Sequence, residues 1–235
     1  MSDAFLIALI FSLGFGIQSI FGFAGNTLSL AILVFFFDVK DMIVLKLFVS
    51  IAASLFIFLS DHKSYSHKIF KEILLFAIPG MILGTFFFKM FDSSLVLTIF
   101  SVFLIVYAIW MIFQPHVKVP EIFKPPVNFL SGVLGGMFGT LGPFSVAAMR
   151  EKFKNKSEMR TTIAVLFLTL NLIRVPLYAA HGVLDVEKLI PFWWIIFPLF
   201  FAIWLGHRVH LRLSEKNFQT GVAILLLVAG ISFLM

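Results

Sequence analysis

Apolar residues along this chain gather into eight long stretches that are separated by short polar connections. The stretches cover residues 4–37, 43–60, 69–88, 94–113, 127–149, 161–180, 189–206 and 218–234. Six of them have the length of roughly 20 residues that an α-helix needs to cross the hydrocarbon of a bilayer. The pattern therefore predicts an all-α fold, a polytopic membrane helical bundle.

Two of the stretches, 4–37 and 127–149, do not have the form of a single crossing. The first is too long for one crossing and short for two, and the run Gly22-Phe-Ala-Gly25-Asn26 interrupts it. The second is interrupted at Gly135-Gly136 and again over 139–143, where two glycines and a proline occur. Glycine and proline favour unwound backbone over continuous helix. We therefore predict a broken, hairpin-like segment in each of the two stretches.

Composition and charge place the chain in a membrane and suggest its orientation. Hydrophobic residues make up 60% of the 235 residues, charged residues make up 13%, and the mean hydropathy is +1.05. The connections 61–72, 114–126, 150–160 and 207–216 hold 3, 2, 5 and 3 basic residues, which is 13 of the 18 in the chain. The positive-inside rule makes these four connections cytoplasmic, with 114–126 as a cytoplasmic linker. The chain is thus expected to be a multi-pass protein of the cell (inner or plasma) membrane.

The same rule constrains the stretch 127–149, because basic connections flank it on both sides. It must enter and leave on the cytoplasmic side, and it is too short for two full crossings. A re-entrant hairpin or a pair of half-helices satisfies both conditions. The net charge of +6 is explained by the anionic membrane surface, and no nucleic acid is expected as a partner.

The two halves of the chain resemble each other at a shift of about 117–122 residues. Residues 19–25 and 136–142 share Phe-Gly-x-x-Gly, and Leu83-Gly84 lies over Leu205-Gly206. Equivalent connections differ in charge, so they are expected on opposite sides of the membrane. We therefore predict two inverted repeats, each a broken segment plus three transmembrane helices. Repeat 1 covers 1–113 with broken segment 4–37 and helices 43–60, 69–88 and 94–113; repeat 2 covers 127–235 with broken segment 127–149 and helices 161–180, 189–206 and 218–234.

These motifs resemble the TauE/SafE family of sulfite and organosulfonate exporters over about residues 6–234. The resemblance is carried by the run from Gln18 to Gly25, Lys46, the run 135–143, Asn171, the run 181–183 and the Leu205-Gly206 turn. The sequence lacks the acidic residue near position 18, the extra glycine around position 24 and the lysine near 163–164 that members often have. The resemblance implies export of small sulfur-containing oxyanions.

The chemistry of the apolar stretches also indicates an anion. All 12 Asp and Glu residues fall in connections or at segment edges, which argues against cation transport or a carboxylate-based proton pump. Arg174 lies deep in an apolar stretch, one turn after Asn171, and a guanidinium matches the geometry of an oxyanion. The glycine breaks are expected to present helix N-termini, which bind anions. The predicted substrate-binding set is Gln18, Gly22, Gly25, Asn26, Lys46, Gly139, Thr140, Gly142, Asn171 and Arg174.

Structural roles for these residues remain open at this point. Arg174 is also placed to hold a carbonyl at a helix break before Pro176, and Lys46 to anchor the chain at the membrane interface. Gln18 and Asn171 are equally suited to hydrogen bonds between helices, and the glycines to close helix packing. The scattered histidines and the absence of cysteine give no metal site, no cofactor and no thiol chemistry.

The leading interpretation is a secondary transporter or exporter of small sulfur-containing oxyanions, sulfite or sulfonate-like, rather than an enzyme. The chain has no Gly-x-x-x-x-Gly-Lys-Ser/Thr loop for ATP. The alternatives are a non-transporting membrane subunit or scaffold and, less favoured, an intramembrane enzyme, which would need a buried His, Cys, Asp or Glu. The expected partners are a small anionic substrate and membrane lipid, and assembly as a homo-oligomer is left open.

Overall fold

The computed structural model describes residues 3–21, 25–113, 119–140, 142–208 and 215–235, and these form helices joined by turns and loops, without any strand. Eleven α-helices occur in the described residues. They are α1 Asp3–Phe21, α2 Gly25–Leu33, α3 Val39–Asp61, α4 His67–Met90, α5 Ser93–Phe113, α6 Lys124–Phe138, α7 Gly142–Met149, α8 Lys156–Ala180, α9 Val186–Leu189, α10 Ile196–Arg208 and α11 Glu215–Leu234. Short 3-10 helices cover His62–Ser64, Glu121–Phe123, Arg150–Lys152 and Ile190–Ile195. The all-α prediction is confirmed.

Five helical segments are long and apolar enough to cross a membrane, judged by length and composition over the described residues. They are Val39–Asp61, His67–Met90, Ser93–Phe113, Ser157–Ala180 and Val186–Gly206. Large apolar side chains such as those of Leu59, Leu75 and Phe197 are 65–68% exposed on the outer surface. A water-soluble protein avoids such a surface, whereas lipid solvates it at no cost. The chain is a membrane protein.

Local sequence explains where several helices begin. The Asp38 carboxylate accepts the N–H groups of Lys40 and Asp41, at 2.8 and 3.2 Å, and so caps the start of α3. The Asn155 side chain accepts the N–H of Glu158 at 2.8 Å at the start of α8. The apolar stretch 189–206 forms the 3-10 helix Ile190–Ile195 before α10, because Pro191 at the beginning of that helix supplies no N–H for an α-helical hydrogen bond.

Helices α6 and α7 form a hairpin whose two ends lie together. After Phe138 the chain turns at Gly139, which has a left-handed φ of 66° and donates its N–H to Gly135 O at 2.9 Å. Lys124, at the start of α6, is paired with Glu151, just after α7, at 3.5 Å. With 15 residues, α6 is only about 22 Å long, which is shorter than the hydrocarbon core.

Helices α1 and α2 form a second hairpin, with close contact between their backbones. A Cβ placed on Gly25 would lie 1.9 Å from Gly14 O, so only glycine fits there. The Ser29 hydroxyl also donates to Ile10 O at 3.3 Å. Because Gly25 contacts Gly14 while Ser29 contacts Ile10, the two helices run antiparallel.

Small residues bring the longer helices together in pairs. Helix α4 packs on α6, where a Cβ on Gly84 would lie 2.1 Å from Val133 O and one on Gly136 would lie 2.3 Å from Met81 O. Helix α10 packs on α1 in the same manner, and a Cβ on Gly206 would lie 2.5 Å from Gly16 O. The Ser19 hydroxyl donates to Ile203 O at 3.2 Å in that interface. Helix α3 packs on α8, and α5 packs on α11.

Polar contacts at the two ends of the bundle connect different loops. At the end that we call the basic end, the loops 61–72, 119–124 and 150–160 meet through the pairs Lys152–Glu72, Lys152–Glu121 and Arg160–Asp61. At the opposite end, Lys188 pairs with Asp41 at 3.3 Å, and Lys40 donates to Phe91 O. The described basic loops that the charge pattern assigns to the cytoplasm therefore share one end of the molecule.

Candidate functional site

Three side chains donate hydrogen bonds to the carbonyl groups at the end of α6. The Tyr178 hydroxyl donates to Gly136 O at 3.2 Å, Arg174 Nη2 donates to Met137 O at 3.5 Å, and Lys46 Nζ donates to Phe138 O at 2.9 Å. The last carbonyls of a helix have no partner within the helix, and they form the negative end of its dipole. Two cations and a phenol from α3 and α8 therefore bind the free end of the half-helix α6.

Arg174 and Lys46 are buried cations, each only 1% exposed. The guanidinium lies over the Tyr178 ring, 4.6 Å from its centroid, and also donates to the Tyr178 hydroxyl. The Tyr178 ring stacks in turn on Phe88 at 5.1 Å, which holds the phenol in place. A Cβ built on Gly139 would lie 2.6 Å from Arg174 Nη1 and 3.8 Å from Lys46 Cε, so the two cations meet at the α6–α7 turn.

Neither cation has a carboxylate partner among the residues that the structure describes. The ion pairs between described residues all lie near the two ends of the bundle, and none of them includes Lys46 or Arg174. Arg174 Nε has no hydrogen-bond partner among the described residues. Since backbone carbonyls carry only partial charges, the α6–α7 turn is a buried region of net positive charge.

Asn171 holds α8 to α3 beside this turn. Its side-chain N–H donates to the Ser50 hydroxyl at 2.9 Å. A cavity of about 10 Å³ opens here, lined by Met81, Gly135, Gly139, Phe167, Leu170, Asn171 and Arg174. That volume is about the least that holds one water molecule. The cavity as it stands is too small for an oxyanion such as sulfite.

The first hairpin reaches the same turn through Asn26. Gln18 Oε1 accepts the backbone N–H of Asn26 at 2.9 Å, which satisfies one of the free donors at the start of α2. The Asn26 side-chain N–H donates to Gly139 O at 3.5 Å and so joins the two hairpins. Asn26 Oδ1 and Thr140 Oγ1 are buried without a hydrogen-bond partner among the described residues.

The residues predicted from the sequence are only partly brought together. Asn26, Lys46, Gly139, Asn171 and Arg174 surround the turn, and Gln18 lies behind Asn26. Thr140 is buried next to Gly139, Gly142 begins α7, Gly25 packs on Gly14, and Gly22 lies outside the described residues.

Sequence reasoning missed Tyr178 and Ser50. Tyr178 follows Arg174 by four residues and Asn171 by seven, which places all three on one face of α8. From that spacing, the sequence alone could have placed Tyr178 beside Arg174 and Asn171. Ser50 has no comparable signal, because its contact with Asn171 depends on how α3 packs against α8.

Comparison with known proteins gives two matches. The sequence model of the family described as Sulfite exporter TauE/SafE matches residues 6–233. Among curated proteins, the chain is similar to "Probable inner membrane transporter protein TsaS" of Comamonas testosteroni, with 27% identity over 104 residues. That match covers 44% of this chain and 44% of the relative, so it spans less than half of either protein. No solved structure matches the chain.

Proposed function

The chain belongs to the sulfite exporter TauE/SafE family, and we propose that it is a secondary transporter that exports small sulfur-containing oxyanions such as sulfite or a sulfonate. One observation carries the proposal. Two cations, each 1% exposed, converge on the α6–α7 turn, and neither takes part in an ion pair among the described residues. A buried charge without a counterion is costly, so the site favours an anion that completes it.

The donor set suits an oxyanion that has lost its hydration shell. The Arg174 guanidinium offers a planar fork, the Lys46 ammonium adds a point charge, and Asn171 and Asn26 add amide N–H groups. In the structure these donors are held by Met137 O, Phe138 O, Gly139 O and the Ser50 hydroxyl. Anion binding would exchange these neutral acceptors for charged oxygens, and hydrogen bonds to charged oxygens are stronger.

Contacts between helices support the inverted repeat that we predict from the sequence. The sequence shift relates Gly84 to Gly206 and Val133 to Gly16, and Gly84 packs on Val133 just as Gly206 packs on Gly16. The packing of α4 on α6 thus has its counterpart in that of α10 on α1.

The direction of the equivalent helices α3 and α8 supports inversion in particular. Asp61 contacts Ser157 at the basic end, while Ser50 contacts Asn171 farther along, so the two helices run antiparallel. A pseudo-two-fold axis in the membrane plane reverses a helix, and an axis along the membrane normal does not.

Export also fits the energetics of a negative cytoplasm. Each negative charge that leaves gains about 2.3 kcal/mol per 100 mV, so outward flow of an anion needs no embedded carboxylate for coupling. The absence of carboxylates from the apolar stretches is therefore compatible with this direction of transport.

The direct test is flux in liposomes that contain the purified protein. The panel is sulfite, thiosulfate, two sulfonates, sulfate and a carboxylate, with and without an imposed potential. We expect sulfite or a sulfonate to move fastest, faster when the potential favours anion exit, and more slowly in Arg174→Ala. Flux of none of these anions by inserted protein would contradict the proposal, as would equal flux in protein-free liposomes.

The orientation of the protein in the membrane can be tested by cysteine labelling, because the sequence contains no cysteine of its own. Single cysteines at Lys154 and Lys68 are expected to resist an impermeant thiol reagent in intact cells, and one at Asp185 is expected to react. Labelling of Lys154→Cys from outside the cell would overturn the cytoplasmic assignment of the basic end.

A further inference from the structure

One face of α6 carries polar side chains over most of its length. Lys124, Asn128, Ser131 and Gly135 follow one another at intervals of four, three and four residues, so they lie along a single side of the helix. This side differs from the side that packs on α4, which is formed by Gly132, Val133 and Gly136. We call Lys124, Asn128 and Ser131 the α6 polar face.

Two side chains of this face, Asn128 and Ser131, are buried without hydrogen-bond partners among the described residues. Asn128 and Ser131 are each 1% exposed, and neither the Asn128 amide nor the Ser131 hydroxyl has a hydrogen-bond partner among the described residues. Ser101 shows the ordinary behaviour of a buried helical serine, since its hydroxyl donates to Leu97 O at 2.6 Å. Burying an unpaired amide or hydroxyl costs about 1–3 kcal/mol, so a polar ligand that reached these groups would relieve that cost.

The α6 polar face connects the basic end with the cavity at the α6–α7 turn. Lys124 lies at the basic end, where it is paired with Glu121 at 2.6 Å and Glu151 at 3.5 Å. Gly135, eleven residues farther along the same face, lines the cavity together with Arg174. The rise of an α-helix makes this path about 16 Å long. Ser145 on the adjoining α7 is a further buried hydroxyl without a partner among the described residues.

We propose that the α6 polar face is the cytoplasmic half of the anion's route, along which Asn128 and Ser131 bind the oxyanion between the basic end and Arg174. The inference rests on the proposed function, and it adds where the anion enters. The Asn128 N–H₂ group and the Ser131 hydroxyl would donate to the anion, and Asn128 Oδ1 would accept from the water that accompanies it. Lys124 would attract the anion once its pairs with Glu121 and Glu151 open.

Cysteine labelling tests the route, because the chain has no cysteine of its own. Asn128→Cys and Ser131→Cys are treated from the cytoplasmic side with the anionic reagent 2-sulfonatoethyl methanethiosulfonate. The cysteine thiolate attacks the sulfenyl sulfur, a mixed disulfide forms, and methanesulfinate leaves. Ser101→Cys is the matched control, since Ser101 is an equally buried helical serine with a hydrogen bond, in α5 where it packs against α11.

We expect both route cysteines to react while the protein is transporting and Ser101→Cys to stay unmodified. A transported sulfonate should slow the reaction at least about 3-fold; sulfite is avoided because it cleaves disulfides. After correction for their rates with a free thiol, the anionic reagent should react about 10-fold faster than its trimethylammonium analogue, as expected for a passage lined by positive charge.

The outcomes separate the route from the function. If the wild type transports sulfite or a sulfonate and neither route cysteine reacts, the route is wrong and the proposed function stands. Equal reaction with both reagents and no protection by the sulfonate would indicate a water-filled crevice, which also overturns the route. A wild type without flux would contradict the proposed function itself. Ser131→Cys exchanges a single oxygen for sulfur, so a folding defect is not expected there, and monodisperse elution in detergent checks it.

Discussion

The two hairpins meet at one turn but differ in how their ends are stabilised. The end of α6 is bound by charged and polar donors from other helices, namely Lys46, Arg174 and Tyr178. The start of α2 is bound by a neutral group of its own hairpin, the Gln18 amide, which accepts the Asn26 N–H. The two positively charged side chains of the site therefore bind the second hairpin, although the sequences of the two breaks are alike.

Similar sequences at the two breaks can therefore carry different electrostatics, because the charged side chains contact only the end of α6. The shared Phe-Gly-x-x-Gly run accounts for a break in each half. The cations come from α3 and α8, the central helices of the two halves, and both turn toward α6. We therefore expect substitutions around the second hairpin to affect transport, and those around the first to affect mainly stability.

The largest effect is expected for Arg174→Ala. Removal of one partner of a buried charged contact costs about 2–5 kcal/mol, so anion flux should fall at least about 30-fold. Arg174→Lys should retain part of the activity because it keeps the charge and loses only the fork. The measurement is initial flux in liposomes at matched protein density, with exposed Arg208→Ala as the control. Normal flux in correctly inserted Arg174→Ala protein would show that the anion does not bind at Arg174.

Gly139→Ala is expected to have the next largest effect, and Gly182→Ala provides its control. The two glycines have nearly equal φ angles of 66° and 68°, so a side chain should cost each variant about 1–2 kcal/mol of backbone strain. Only at Gly139 would the new Cβ displace a charged donor, because Arg174 Nη1 lies 2.6 Å away and nothing lies within 4 Å at Gly182. Both variants should unfold at similar, lower temperatures, while flux falls at least about 10-fold in Gly139→Ala alone. Equal flux in the two variants would show that the position of Arg174 is unimportant.

A moderate effect is expected for Tyr178→Phe. The variant leaves Gly136 O without this donor and removes a hydroxyl that accepts from Arg174, which costs about 1 kcal/mol and lowers flux about 5-fold. Tyr107→Phe is the control, since the Tyr107 hydroxyl is buried without a partner among the described residues and its removal should be neutral. A larger loss of flux in Tyr107→Phe than in Tyr178→Phe would refute the role of the phenol at the α6 end.

The smallest effect on transport is expected in the first hairpin, for Gln18→Met. This change keeps the size of the side chain and leaves the buried Asn26 N–H without its acceptor, at a cost of about 1–3 kcal/mol of stability. The unfolding temperature should fall by a few degrees, measured in detergent, while flux changes by no more than about 3-fold. A loss of flux equal to that of Arg174→Ala would show that both hairpins hold the anion. It would contradict the expectation that substitutions around the first hairpin affect mainly stability.

Much of the architecture could be predicted without the structure, because it depends on local properties of the chain. Apolar stretches long enough for a bilayer predict membrane helices, and the all-α fold is confirmed. The motifs also indicate the TauE/SafE family, which the match over residues 6–233 confirms. The inverted repeat and the substrate-binding set remain predictions, since the observed contacts support them without testing transport.

Local features of the sequence thus predict the membrane environment of the protein, the all-α class of its fold and its family. These follow from hydropathy, glycine placement and short motifs, which act over at most a helix length. Only the tertiary structure decided which acceptors Lys46 and Arg174 would find, since Phe138 O is 92 residues from Lys46 and Met137 O is 37 from Arg174. Tertiary packing also buries Asn128 and Ser131 without hydrogen-bond partners among the described residues. The physical reason is that a hydrogen bond requires its two atoms within about 3.5 Å, and across separate helices only packing determines that distance.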